Sequence, residues 1–187
     1  MPGPMTMLLP GRSNRVVEAG PLLTACLFLV LSLMIAGCDQ EGAGDIGANG
    51  LEEVRVDYVV DGDTVKLSDG RTVRYIGVDT PEIAHGRGDD DCYGPEASVF
   101  NRQLVEGQLV FLEYDENRLD RYGRTLAYVW IGSGSGRRMV SQELLFRGYG
   151  KVMMIQPNTL YETMLEEAEE SARKRGAGLW GACQSGL

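Results

Sequence analysis

The chain has 187 residues, 43% hydrophobic and 24% charged, a balance that excludes a wholly disordered chain and a multi-span membrane protein. Its 27 acidic residues against 18 Lys plus Arg give a net charge of −9. That excludes attachment to nucleic acid by bulk positive charge, though not a local basic site. Lys66, Lys151 and Lys174 are the only lysines beside fifteen arginines. Cationic chemistry therefore rests on planar forks that grip phosphate or carboxylate at two points. The single histidine, His85, forms no His-rich metal site alone and leaves little room for Ser-His-Asp chemistry.

In chain order, the first feature is an uncharged apolar run from Leu22 to Ala36. It falls short of the roughly 20 residues a spanning helix needs. Arg12 and Arg15 precede it and small residues end it, the pattern of a secretory signal peptide. The run closes on Ile35-Ala36-Gly37-Cys38, which resembles a bacterial lipobox and implies lipidation of Cys38 after cleavage before it. Residues 1–37 are thus expected to be a signal peptide, 38–52 a Gly-rich acidic tether, 53–183 the folded domain and 184–187 a tail. The processed chain, 38–187, would be 150 residues, and a domain of that size buries roughly 68–70% of its unfolded surface, enough for a sizeable core. The chain is expected to be exported and held on a membrane by lipid on Cys38. In that oxidising setting Cys92 and Cys183 read as a disulfide, with two reduced buried thiols as the alternative.

Val54 to Val60 reads as a strand, Asp61-Gly62 as a hairpin turn and Thr64 to Leu67 as the partner strand. Ser68-Asp69-Gly70 is a second turn, and Thr72 to Ile76 a third strand. Residues 84–93 have no apolar period and read as an exposed, solvated acidic loop. Gly94-Pro95-Glu96 opens a helix with Ala97, Phe100, Leu104 and Val105 at helical spacing. Leu109 to Tyr114 and Thr125 to Ile131 are the fourth and fifth strands, and Met139 to Arg147 is a short helix ending at Gly148. Thr159 to Glu162 fits a capping box for a last helix whose stripe is Leu160, Met164, Ala168 and Ala172. Three strands, a helix, two strands and two helices predict a mainly β fold with α. The solution that fits is a five-stranded antiparallel OB-fold barrel packed with three helices.

Asp61 and Asp63 flank Gly62 in VVDGDT, and Asp79 and Glu82 flank Thr80-Pro81 in GVDTPE, with Arg74 five residues before Asp79. Oxygen-rich ligands suit hard cations such as Ca²⁺, and no Cys/His spacing suits zinc. Each piece alone is an ordinary turn or helix entry. The ordered set VVDGDTVKL, VRYIGVDTPE, YGPEA, DRYGRTLAYVW and GLW is far more specific, and over residues 54–182 it resembles the staphylococcal nuclease family. The resemblance implies an OB-fold barrel with three helices. It implies Ca²⁺ ligation by Asp63, Asp79 and the Thr80 carbonyl, Glu82 as general base, and Arg74 and Arg124 as phosphate-binding arginines. It places a terminal-phosphate contact on Tyr122 beside Arg121. The implied activity is hydrolysis of DNA and RNA at the P–O5′ bond, leaving 3′-phosphates.

Three departures bear on substrate binding. Met154 and Gln156 stand where the family stacks a base between aromatics, a loss of roughly 1–3 kcal/mol per base. Asp89, Asp90 and Asp91 replace a lysine-rich loop and repel phosphates over about 8 Å at physiological salt. Arg121 replaces a lysine and keeps its charge. Weaker, more salt-sensitive binding by intact machinery is the expectation. The competing reading is a non-catalytic OB-fold lipoprotein that binds nucleic acid or protein; such modules lose the carboxylate and arginine set retained here. No oligomer signal is visible, so a monomer is expected.

Overall fold

The computed structural model describes residues 51–183 except 85 and 87. The expected signal peptide, the lipid site at Cys38, the tether up to residue 50, His85 and the 184–187 tail lie outside the described residues. The elements are β1 (Glu52–Val59), β2 (Thr64–Leu67), β3 (Thr72–Tyr75), α1 (Gly94–Val105), β4 (Leu109–Glu113), β5 (Thr125–Ile131), β6 (Arg138–Met139), α2 (Val140–Arg147), α3 (Glu162–Arg175) and the single turn α4 (Leu179–Ala182).

Strand order is β3-β2-β1-β4-β5-β6, and a further β3–β5 pairing closes the first five into a barrel. The expected barrel with three helices is therefore present, with α4 as a terminal turn. Every ladder in it is antiparallel except the closing one. There Val73, Arg74 and Tyr75 run parallel to Thr125, Leu126 and Ala127. The successive antiparallel ladders β3/β2, β2/β1, β1/β4 and β4/β5 leave β5 running in the same direction as β3.

The valines that mark β1 alternate inward at Val54 and Val56, and then the phase slips. A bulge between Val56 and Tyr58 puts Tyr58 outside and Val59 inside. Bulges bend a strand and sharpen its twist, and here the bend lets one strand pair with β4 at its start and β2 at its end. Val56, Val65, Val73, Val110, Leu112 and Leu126 fill the barrel. β5 is buried nearly throughout, because α2 covers its outer face.

The Asp61-Gly62 hairpin turn between β1 and β2 is present. Gly62 has no positive φ; it is glycine because it lies against Thr80, as a Cβ there would be 2.4 Å from Thr80 Oγ1. Two readings of α3 are corrected. The Thr159–Glu162 capping box does not form. α3 begins at Glu162, with Tyr161 at its N-cap and no side-chain cap bond. Leu160 consequently lies outside the helix, 59% exposed, and the inward stripe is Leu165, Ala168 and Ala172.

Cys92 and Cys183 are disulfide-bonded, with Cα atoms 6.0 Å apart. The bond ties the segment before α1 to the end of α4.

Candidate active site

The site forms where the β1–β2 turn meets the chain leaving β3. Tyr75 N–H donates to the Asp63 carbonyl at 2.9 Å, fixing the turn to β3. Beyond β3, Asp79 exchanges two backbone hydrogen bonds of 2.8 Å with Lys151. Asp63, Arg74 and Thr80 are buried, Asp79 is half-buried and Glu82 is exposed at the rim.

Arg74 is the hinge of the cluster, only 4% exposed. Its Nη1 donates to the carbonyls of Tyr75 at 3.0 Å and Val78 at 2.6 Å, and lies 3.1 Å from Asp63 Oδ2. Its Nη2 donates to Asp79 Oδ1 at 2.8 Å. Asp63 Oδ2 also accepts the Thr80 N–H at 2.9 Å and the Thr80 hydroxyl at 3.2 Å, while Oδ1 accepts the Thr64 hydroxyl at 3.1 Å. Asp63, Arg74, Asp79 and Thr80 are thus brought into direct contact, as the sequence led one to expect.

The electrostatics match this crowding. Burial, reinforced by the charge of Asp61, pushes the Asp63 carboxyl up to about 6 against the pull of Arg74. Burial and the Asp63 charge raise Asp79, again against Arg74. Partial desolvation, with the charges of Asp63 and Asp79, raises Glu82. One arginine is too little for three carboxylates, so the cluster carries excess negative charge.

That excess bears on whether a cation fits. Among the described residues, Asp79 Oδ2, both Glu82 carboxylate oxygens and the Thr80 carbonyl have no hydrogen-bond partner. The open donors are all oxygen, the set a hard cation prefers. Among the described residues no three His, Cys, Asp or Glu side chains converge as a ready cage. A cation held here would draw on Asp79 Oδ2, the Thr80 carbonyl and Asp63 Oδ1, which accepts only the Thr64 hydroxyl, with water beside them and Glu82 left open. The residues fit it on those terms.

Arg124 lies on the neighbouring strand's approach, since the parallel register sets Thr125 beside Val73 and Leu126 beside Arg74. It makes no ion pair with the carboxylate cluster among the described residues. Asp120 instead holds its Nε at 2.7 Å and its backbone N–H at 2.9 Å, leaving Nη1 and Nη2 without partners there. Tyr122 is 69% exposed in the same turn, and Arg121 Nη2 donates to its hydroxyl at 2.6 Å.

Several supports escaped the sequence reading. Asn101 is fully buried, donates to the Asp61 carbonyl at 3.1 Å and accepts the Tyr75 hydroxyl at 3.1 Å. Its position midway between inward-facing Ala97 and Val105 was the available signal: a polar residue on an apolar stripe needs a buried partner. Asp120 was readable as a turn-capping Asp before Tyr122-Gly123. Nor is the acidic loop simply solvated. Asp90 Oδ1 accepts the Ala84 N–H at 2.8 Å and Asp91 Oδ2 the Glu82 N–H at 3.1 Å, because the loop turns back on the segment before it. Met154 is partly buried and packs against the core.

Oxygen ligands open to a cation, with arginine forks on the same side of the barrel, equip a fold to act on phosphodiesters, and the class so defined is a nuclease. Comparison with known proteins carries this further. The family model for "Staphylococcal nuclease homologue" matches residues 72–182. The chain is 36% identical over 169 residues to a thermonuclease of Staphylococcus hyicus, covering 88% of this chain and 97% of that one. It is 34% identical over 170 residues to the thermonuclease of Staphylococcus intermedius, with the same coverage. It is also 37% identical over 135 residues to endonuclease YncB of Bacillus subtilis (strain 168), covering 70% of this chain and 62% of that one. The chain belongs to the staphylococcal nuclease family.

Proposed function

We propose that this nuclease is calcium-dependent and hydrolyses DNA and RNA at the P–O5′ bond, leaving 3′-phosphates. The observation that carries the reading is Arg74 bridging Asp63 at 3.1 Å and Asp79 at 2.8 Å while Asp79 Oδ2 and the Thr80 carbonyl stay open. Asp63, Asp79 and the Thr80 carbonyl would hold Ca²⁺, which supplies charge stabilisation to the phosphoryl oxygens. Arg124, with both Nη groups free, places a second fork on those oxygens, where negative charge grows in the transition state. Arg74 is largely committed to the carboxylates, so it sets the ligand geometry as well as adding charge. Glu82 takes the proton of the attacking water, and a carboxyl raised from its ordinary value is a better base near neutral pH. Arg121 and Tyr122 hold a terminal phosphate further along the strand.

The test is cleavage of single-stranded DNA by the purified protein, with calcium and then with a chelator, with the product ends identified. Activity lost with the chelator and 3′-phosphate ends are expected. Glu82→Ala is expected to lose about 10²–10⁴-fold in rate, the range of general acid–base catalysis. Wild-type activity in that variant, or activity indifferent to the chelator, would overturn the reading.

The protein is also proposed to be exported and anchored by lipid on Cys38, which labelling with a radioactive fatty acid checks. The Cys92–Cys183 disulfide supports an oxidising compartment. Among the described residues no helix is long and apolar enough to cross a membrane.

A further inference from the structure

We infer that Asp91 is a positioning residue for this nuclease: its carboxylate and its own peptide N–H grip the backbone of Glu82 from both sides and fix where the Glu82 side chain starts. The inference rests on the proposed role of Glu82 as general base.

Glu82 belongs to no strand or helix. Its peptide N–H donates to Asp91 Oδ2 at 3.1 Å, and its carbonyl accepts the Asp91 N–H at 3.0 Å. Among the described residues these are the only hydrogen bonds the Glu82 backbone makes. The bracket is itself anchored. The Asp91 carbonyl accepts the Gly94 N–H at 2.9 Å, at the start of α1. Gly94 lies so close to Glu82 that a Cβ there would be 2.5 Å from the Glu82 carbonyl oxygen. Cys92, next to Asp91, is bonded to Cys183, whose N–H donates to Leu179 in α4 at 3.0 Å, and Leu179 N–H donates to Gly148 at 2.9 Å. A run of bonds therefore leads from the proposed base to the helical body through Asp91.

The consequence for catalysis is geometric. A base must sit within hydrogen-bond reach of its water, and small misplacements are costly in rate. Asp91 makes no hydrogen bond to Asp63, Asp79 or Thr80 among the described residues, and D91N, which loses the same charge as D91A, separates any effect of that charge on ion or substrate binding from loss of the grip on Glu82. An asparagine in its place keeps an acceptor oxygen for the Glu82 N–H while losing the charge.

The experiment measures kcat, KM and calcium affinity for D91A, D91N, E82A and the D91A/E82A double variant, each shown folded by circular dichroism. D91A is expected to lose about tenfold in kcat with KM and calcium affinity within twofold, and D91N to recover most of that loss. In the E82A background D91A is expected to have no further effect, since a positioning residue has nothing left to position. If D91A fails to fold, D91S replaces it with the same expectations. Three results overturn the inference while leaving the base intact: unchanged kcat in D91A, equal losses in D91A and D91N, or a D91A loss undiminished in the E82A background. Wild-type activity in E82A overturns the base and the inference together.

Discussion

Gly62 is where the two acidic segments touch. Its φ is not positive, so backbone freedom does not explain it. Space does: a Cβ would lie 2.4 Å from Thr80 Oγ1, 2.7 Å from Thr80 Cβ and 2.8 Å from Thr80 Cγ2. Restoring ordinary van der Waals contact with the nearest atom in a close-packed site requires the segments to part by about 1 Å. Thr80 cannot rotate out of the way cheaply, because it is β-branched and its hydroxyl is bonded to Asp63 Oδ2 at 3.2 Å. The movement stretches the 2.9 Å bond from Thr80 N–H to Asp63, whose loss costs about 1.5–3 kcal/mol for a charged acceptor. Gly62→Ala is therefore expected to destabilise the protein by about 2–4 kcal/mol, overpacking strain included. Because functional groups tolerate only about 0.5 Å of misplacement, calcium affinity is expected to fall at least about tenfold. Urea denaturation and calcium titration calorimetry read the two effects. Gly70→Ala is the control: Gly70 also punctuates a turn, at φ +90°, but a Cβ there meets nothing within 4 Å. It should cost stability through strain and leave calcium affinity unchanged. Calcium affinity within twofold of wild type in Gly62→Ala would refute the view that this contact sets the spacing of the ligands.

The two arginines should separate cleanly. Arg74→Ala leaves Asp63 buried without its cation and is expected to cost about 3–5 kcal/mol of stability in urea melts. Arg124→Ala removes a partly exposed pair with Asp120 worth about 0–1 kcal/mol, yet should cut kcat sharply; equal destabilisation by both would contradict the assignment. Metal-free protein should behave unusually with pH. A carboxyl raised to about 6 favours the folded state when protonated, so the Asp63 contribution is present below about 4 and lost as pH rises through about 6. Comparing urea midpoints of wild type and Asp63→Asn in chelator at pH 4.5 and 7 checks the sign. On the proposed reading calcium competes with the same proton, so its affinity should weaken as pH falls below 6.

The barrel was legible because its strands carry period-two valines between turn residues, and both signals are local. The parallel closure of β3 on β5 was not, since strand order in the chain does not reveal which edges meet. The bulge at Asp57 was hidden too: valines at 54, 56 and 59 already break the alternation, but without a partner strand the break has no meaning. Among the site residues, Asp63, Asp79, Thr80 and Arg74 were legible because short motifs place them and the structure joins them. Asp91 bonds the backbone of Glu82, and Asp120 bonds both the backbone N–H and the Nε of Arg124, contacts across turns that residue type alone does not announce. The loop 89–91 shows the limit most clearly. Its charge predicts repulsion of phosphate, whereas its geometry commits two of its three carboxylates to peptide N–H groups.

How a chain of net charge −9 handles a polyanion follows from where its charges are held. At neutral pH three carboxylates, Asp63, Asp79 and Glu82, stand beside one arginine, so without a cation the rim would repel phosphate. On the proposed reading a divalent cation cancels that excess, and Arg124, whose charge is balanced by Asp120, adds aimed N–H donors rather than net charge. Affinity for the substrate is thereby made conditional on the ion, and by linkage a bound phosphate must tighten the ion in return. The long-range field stays negative throughout, so the protein gains little from electrostatic steering and relies on a few aimed contacts at short range. A loosely caged cation site would suit this arrangement, because oxygens of the substrate would then add to the few that Asp63, Asp79 and Thr80 supply.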